Sequence, residues 1–298
     1  MLYSPQSRPL DALAIAVTIA LCLTWGFNQV AIKLAIDDIP PLIQAAGRSA
    51  AAALCVAAYA RLRGIPLFKH DGTLLAGIAA GVLFAIEFLL VYRGLVWTTA
   101  TRTVLFLYTA PFFVVIGSRL FIPGDHFYPS QWIGLLISFI GIVIAFGLPT
   151  PAADPHQMLG DLMALGGAAA WGATTIVIKA SRLSRVSAEK TALYQLVVSA
   201  PLLALGAFAL GEHIDKMPSA VAIGAFVYQA VWVVSVSFVI WFALVLRYSA
   251  NRLSAFTFLT PLFGVAAGHL VLNEPLTPAF AVAVAFVALG LVLVNRAR

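Results

Sequence analysis

The sequence predicts an all-α polytopic membrane protein: ten transmembrane helices arranged as two inverted five-helix repeats. Three observations carry this. Of 298 residues, 62% are hydrophobic and only 10% are charged, whereas a soluble domain needs roughly 25% charged residues to cover its surface. Apolar stretches of about 20 residues, each long enough to cross a bilayer as a helix, recur along the whole chain. Patterns from the first half return in the second.

The apolar runs are continuous rather than alternating at every second residue. In lipid each backbone group must bond within its own segment or a closed barrel, so continuous runs select helices. Spans are predicted over 12–34, 40–61, 72–95, 101–121, 129–148, 159–181, 188–210, 219–245, 252–273 and 276–295. The opening MLYSPQSRPLDALA lacks a small-residue cleavage pattern, so the first apolar run is expected to remain as a span.

Each span carries its own signals. In span 1, Trp25, Asn28, Gln29 and Ile32 fall at i, i+3, i+4 and i+7 and share one helical face. Span 2 carries Gln44 and, one turn later, Arg48. Span 3 carries Gly77-x-x-x-Gly81, a close-packing pattern, and Glu87. In span 4, Tyr108 lies one turn before Pro111, and a proline inside a helix frees a carbonyl and permits bending. Trp132 opens span 5 as an interface anchor. Span 6 repeats the first face with Trp171, Thr174, Thr175 and Ile178. Spans 7 and 8 add Tyr194, Gln195, Gln229, Trp232 and Trp241. Span 9 carries Phe258, Pro261, Gly264-x-x-x-Gly268 and His269. His70, His126, His156 and His213 fall in predicted loops.

The repeat is legible in the letters. TWGFNQVAIK at 24–33 returns as AWGATTIVIK at 170–179. TRTVLFLYTAPFFV at 101–114 is echoed by NRLSAFTFLTPLFG at 251–264, and GDHFYPSQWIGLLISFIG at 124–141 by NEPLTPAFAVAVAFVALG at 273–290. The two halves are 1–150 and 151–298. Five spans is an odd number, so the second half enters the membrane from the opposite side. Thirteen of the eighteen Lys and Arg residues fall on one set of loops and tails and four on the other. This bias predicts cytoplasmic N- and C-termini and fits a bacterial inner membrane. Inverted repeats are a hallmark of secondary transporters, whose halves rock about a central site.

Trp-Gly-x-Asn in span 1 (Trp25, Gly26, Asn28), Pro41 and Arg48 in span 2, Pro111 and Pro261, and the NEPLT turn before span 10 together resemble the EamA family of the drug/metabolite transporter superfamily. The resemblance spans the chain and both repeats. It implies ten helices in two inverted units, and export of amino acids or other small metabolites. The second half departs from the first: Thr174–Thr175 replace Asn28, and Arg48 has no clear counterpart.

The cavity-lining candidates are Trp25, Asn28, Gln29, Gln44, Arg48, Glu87, Tyr108, Trp171, Thr174, Thr175, Gln195, Gln229, Trp232 and Phe258. For the tryptophan-bearing faces the alternative is interhelical packing, with amides as glue. Arg48 and Glu87 each cost at least about 2.5–3.5 kcal/mol at membrane depth. By position they lie at similar height. They suit either a solute carboxylate and amine, with Glu87 also a proton-coupling candidate, or a structural ion pair. Pro111 and Pro261 are the gating or kink candidates.

No nucleotide-binding loop, no nucleophile–base set and no metal-ligand spacing stands out, so no enzyme, cofactor or metal is predicted. The cations are spread over alternate loops rather than gathered on one face, which argues against nucleic acid. The expected partners are a small-molecule substrate and the lipid bilayer, with proton or substrate antiport as coupling modes. Two other readings stay open. One is a transporter of sugars, nucleotide derivatives or cationic drugs. The other is a structural or lipid-translocating membrane protein.

Overall fold

A computed structural model describes residues 10–122, 127–147, 155–273 and 276–296. His126, Glu274 and Pro275 of the NEPLT turn, and the terminal Arg8 and Arg298, lie outside the described residues. Among the described residues, ten helices are long and apolar enough to cross a membrane. They are α1 (Ala12–Ile36), α2 (Pro41–Leu62), α3 (Leu74–Gly94), α4 (Arg102–Phe121), α5 (Pro129–Phe146), α6 (Pro155–Ala180), α7 (Ala188–Ala209), α8 (Ala220–Arg247), α9 (Ala250–Leu272) and α10 (Pro278–Asn295). The chain is an integral membrane protein. The near end of the bundle is the one where α1 begins and α10 finishes, and the far end is opposite. His156, predicted in a loop, lies in the first turn of α6 instead. That helix starts before the apolar run does, at Pro155, whose fixed φ suits a first helical turn.

The helix contacts obey a pseudo-twofold rule that exchanges α1 with α6, α2 with α7, α3 with α8, α4 with α9 and α5 with α10. Under it, α5–α10 and α2–α7 map onto themselves. The pair α1–α9 maps onto α4–α6, α1–α8 onto α3–α6, and α2–α8 onto α3–α7, and all of these pairs are in contact. Small residues make the close pairs possible. A Cβ on Gly26 would lie 2.6 Å from Phe263 Cβ of α9, and one on Gly172 would lie 2.7 Å from Phe113 Cβ of α4. These are equivalent positions in the two halves, so the same close approach is built twice. In α5–α10 the backbones themselves touch, since a Cβ on Gly134 would lie 2.6 Å from the Gly290 carbonyl oxygen. Gly77 and Gly81 face Tyr194 and Val198 of α7.

Two helices are interrupted at matching points. α4 breaks at Tyr108–Thr109, between helical segments Ala100–Leu107 and Ala110–Phe121. α9 breaks at Thr257–Phe258, between Ala250–Phe256 and Leu259–Leu272. Each break sits just ahead of a proline. Pro111 and Pro261 have no N–H to give and crowd the carbonyl four residues back, at Leu107 and Thr257, so the helix stops there and restarts. α8 carries a ten-residue π-helical stretch, Tyr228–Ser237.

The largest buried cluster joins α4, α5, α9 and α10 around Phe258, Leu135 and Ile142. A second one joins α1, α6 and α8 around Leu21, Ile178 and Trp241. Cys22 and Cys55 are free thiols; Cys22 is buried, with its Sγ 3.3 Å from the Phe256 carbonyl oxygen.

Candidate functional site

Arg48 and Glu87 lie at the same height. Each is seven residues from the far-end terminus of its helix, Pro41 for α2 and Gly94 for α3, which is about 10 Å at 1.5 Å per residue. Helix periodicity gives height but not rotation about the axis, and the rotation proves decisive. Arg48, only 4% exposed, lays its guanidinium 4.7 Å from the ring centre of Phe88. It makes no ion pair with Glu87. Among the described residues, neither side chain is held by a hydrogen bond.

An aromatic run leads from this point across the bundle. Tyr92 stacks near Phe88 (5.8 Å) and Phe88 near Phe84 (4.9 Å) along α3. Phe84 then meets Phe238 of α8 (5.8 Å) edge-on, and Phe238 meets Trp25 of α1 (6.4 Å). Trp25 also meets Trp241 (5.2 Å). Its indole N–H donates to Ser237 Oγ (2.9 Å), so the ring is fixed against α8. Its counterpart Trp171 packs instead on the break residue of α4, Tyr108 (6.1 Å). The two halves therefore use equivalent tryptophans differently.

The amides fall into two groups. Gln229 Nε2 donates to Gln44 Oε1 (3.0 Å), and Gln44 Nε2 donates to the Ile39 carbonyl (2.7 Å), which ties α8 to α2. Among the cavity candidates, the buried amide atoms Asn28 Oδ1, Gln195 Nε2 and Gln229 Oε1 have no partner among the described residues. Buried polar atoms without partners are uncommon and ask for a water or a solute. Thr174 and Thr175 are buried, and their hydroxyls donate to the Ala170 and Trp171 carbonyls of their own helix. Gln29 is exposed, with its side chain beside Gly264 of α9. Trp232 is half exposed, and its indole donates to Thr24 Oγ1 (3.3 Å). Phe258 is fully buried, 6.3 Å from the ring of Phe139.

A second pair of buried charges escapes a reading by sequence. Arg102 and Asp161 form a two-pronged ion pair between α4 and α6, with Thr98 Oγ1 donating to the same carboxylate (2.7 Å). By sequence position Arg102, at the very start of span 4, counts among the outer-side charges, and Asp161, near the start of span 6, goes unremarked. The signal was available: an ionisable residue within a span asks for a partner. Glu212, from the α7–α8 linker, accepts hydrogen bonds from the backbone N–H groups of Leu42 and Ile43 (2.9 and 3.1 Å). It caps a helix whose own start, Pro40–Pro41, offers no side-chain cap, and a carboxylate suits the positive end of that helix.

The paired halves, matched glycines and matched breaks find their counterpart in a family model, the EamA-like transporter family, which matches residues 12–147 and again 158–296. The chain belongs to the EamA-like transporter family. Several transporter relatives align with nearly the whole chain. The uncharacterized transporter YvbV of Bacillus subtilis (strain 168) is 25% identical, covering 98% of this chain and 92% of its own. The uncharacterized inner membrane transporter YedA of Escherichia coli (strain K12) is 22% identical, covering 94% and 89%. A probable amino-acid metabolite efflux pump of Escherichia coli (strain K12) is 24% identical, covering 91% and 90%. A solved protein crystal structure superposes with a TM-score of 0.81 at 20% identity, covering 95% of this chain and 96% of its own; the two share a fold.

Proposed function

We propose that this protein is a secondary transporter that exports amino acids or closely related metabolites by alternating access. The observation that carries the reading is the buried Arg48, level with Glu87 yet not joined to it. A cation and an anion that stay separate at one depth suit the carboxylate and amine of a zwitterion. Phe88, Phe84 and Tyr92 beside them suit its apolar part. Asn28, Gln195 and Gln229 supply the unpartnered polar atoms a solute or its waters would meet. The efflux-pump relative supports the solute class. In this reading residues 1–150 and 151–298 are the two rocking units, and the breaks ahead of Pro111 and Pro261 are the bending points. Glu87 carries the coupled proton. The charge bias sets the near end in the cytoplasm of a bacterial cell.

The test is solute flux in proteoliposomes with a panel of amino acids. Saturable movement of at least one, lost in Arg48→Gln, is expected. No saturable movement of any amino acid removes the proposed substrate class. Unchanged pH dependence in Glu87→Gln removes proton coupling through that residue.

A further inference from the structure

The near end holds a pocket that the transport reading does not use. Its volume is about 1100 Å³, and its walls are the α2–α3 linker, the last residues of α4, the α6–α7 linker and the start of α7. Five cationic residues line it: Lys69, Lys179, Arg182, Arg185 and Lys190. Among the described lining residues Asp71 is the one acid.

Two of these cations are committed to the fold. Lys190, buried, donates to Asp71 Oδ2 (2.8 Å) and to the Lys69 carbonyl (2.9 Å). Lys179 donates to the Val245 and Tyr248 carbonyls (2.6 and 2.7 Å), at the negative end of α8. Asp71 is fully engaged by Lys190 and Thr73. The Lys69, Arg182 and Arg185 side chains are exposed and have no acid partner among the described residues. At the far end the arrangement differs, since Lys216 pairs with Asp38 and Arg102 with Asp161. Among the described residues, the pocket therefore concentrates positive charge that no acid neutralises.

Its rim is apolar. Leu75 (80% exposed), in the first turn of α3, and Phe121 (64% exposed), at the last turn of α4, both line the pocket. They stand where apolar spans end, at the level of a bilayer surface. A free anion gains nothing from such a rim, whereas a lipid lays its acyl chains along it.

We propose that this pocket binds the headgroup of an anionic phospholipid from the near-end leaflet. Arg182, Arg185 and Lys69 contact the phosphate, and Leu75 and Phe121 contact the acyl chains. Basic pockets between membrane helices commonly hold such headgroups. The site is separate from the Arg48–Glu87 region.

The experiment titrates the purified full-length protein, in a non-ionic detergent, with dioctanoyl phosphatidylglycerol, dioctanoyl phosphatidylcholine or glycerol 3-phosphate. Thermal unfolding is the readout, because a ligand that binds only the folded state raises its stability. Saturable stabilisation by phosphatidylglycerol alone is expected. Arg182→Gln and Arg185→Gln should each weaken it about fivefold and the double variant roughly thirtyfold. Arg63→Gln, an exposed charge at the same end but outside the pocket, should leave it unchanged. Should either arginine variant fold poorly, Lys69→Gln replaces it, with the same fivefold loss expected. Equal stabilisation by phosphatidylcholine overturns the proposal. So does an Arg63→Gln effect as large as that of Arg182→Gln, which would mean diffuse surface charge. Glycerol 3-phosphate matching phosphatidylglycerol would mark a free-anion site and equally overturn the lipid assignment.

Discussion

The guanidinium of Arg48 lies against the face of Phe88 and forms no ion pair with Glu87, the residue next to Phe88 in the chain. A buried cation resting on a ring keeps its hydrogen-bond donors for something else. Replacing Arg48 with Gln should weaken solute affinity roughly ten- to a hundredfold, the loss expected from about 1.5–3 kcal/mol for a charge-assisted hydrogen bond. Folding should survive, because no acid is left stranded by the change. Substrate-dependent thermal shift measures both at once.

Arg102 and Asp161 are the opposite case, because each is the other's partner and both are under a tenth exposed. Arg102→Gln takes away the cation facing the buried Asp161 carboxylate and should cost about 3–5 kcal/mol; Asp161→Asn, which removes the same ion pair, should also destabilise, while an apolar double replacement should cost much less. Comparing detergent-solubilised unfolding of the two single variants and the double variant decides this. Equal losses in all three would mean the pair is not coupled.

Gly26 and Gly172 sit at equivalent close approaches, so Gly26→Ala and Gly172→Ala should behave alike. Each pushes a methyl group into Phe263 or Phe113 and should destabilise by about 1–3 kcal/mol, the usual cost of overpacking. Gly224→Ala, where an added Cβ meets nothing within 4 Å, should be neutral or slightly stabilising, since alanine is the better helix former. Melting temperatures of the three variants check this.

Asp71 should make the near end sensitive to acid. Hydrogen bonds from Lys190 and then Thr73 hold its carboxyl well below the ordinary value of 3.8, at about 2. A carboxylate held low in the folded chain adds stability that is fully present above its unfolded value. That stability is lost as pH falls from about 4 toward 2. Asp38 follows the same course, held to about 2 by hydrogen bonds from Ser219 and Lys216. Thermal stability should therefore drop across that interval, and Asp71→Asn should flatten part of the drop. An identical pH profile in Asp71→Asn would refute its role.

The spans were readable because continuous apolar length is a one-dimensional property. The breaks were readable too, but displaced: the letters point at Pro111 and Pro261, whereas the helices open two to four residues earlier, where the proline ring crowds the preceding turn. The pairing of side chains was not readable. Arg102 meets Asp161 across 59 positions and Glu212 caps α2 across 170. Neither contact follows from period or composition. Arg48 and Glu87 show the limit most plainly: counting residues put them level, but only the rotation of α2 about its axis turned the guanidinium to Phe88. The near-end cations read from sequence as an orientation signal, and only the packed linkers gather them around one hollow.

The wide winding of α8 has its own consequence. In Tyr228–Ser237 the coil is looser than in the helices around it, and the rest of α8 takes its angular phase from that looseness. Phe238 and Trp241, which grip Trp25, come immediately after. Deleting a single residue from the stretch would turn everything beyond it by about 100°. The grip on α1 would swing away, and with it the carbonyls that hold Lys179. The stretch therefore works as a timing element, indexing one half of the bundle against the other.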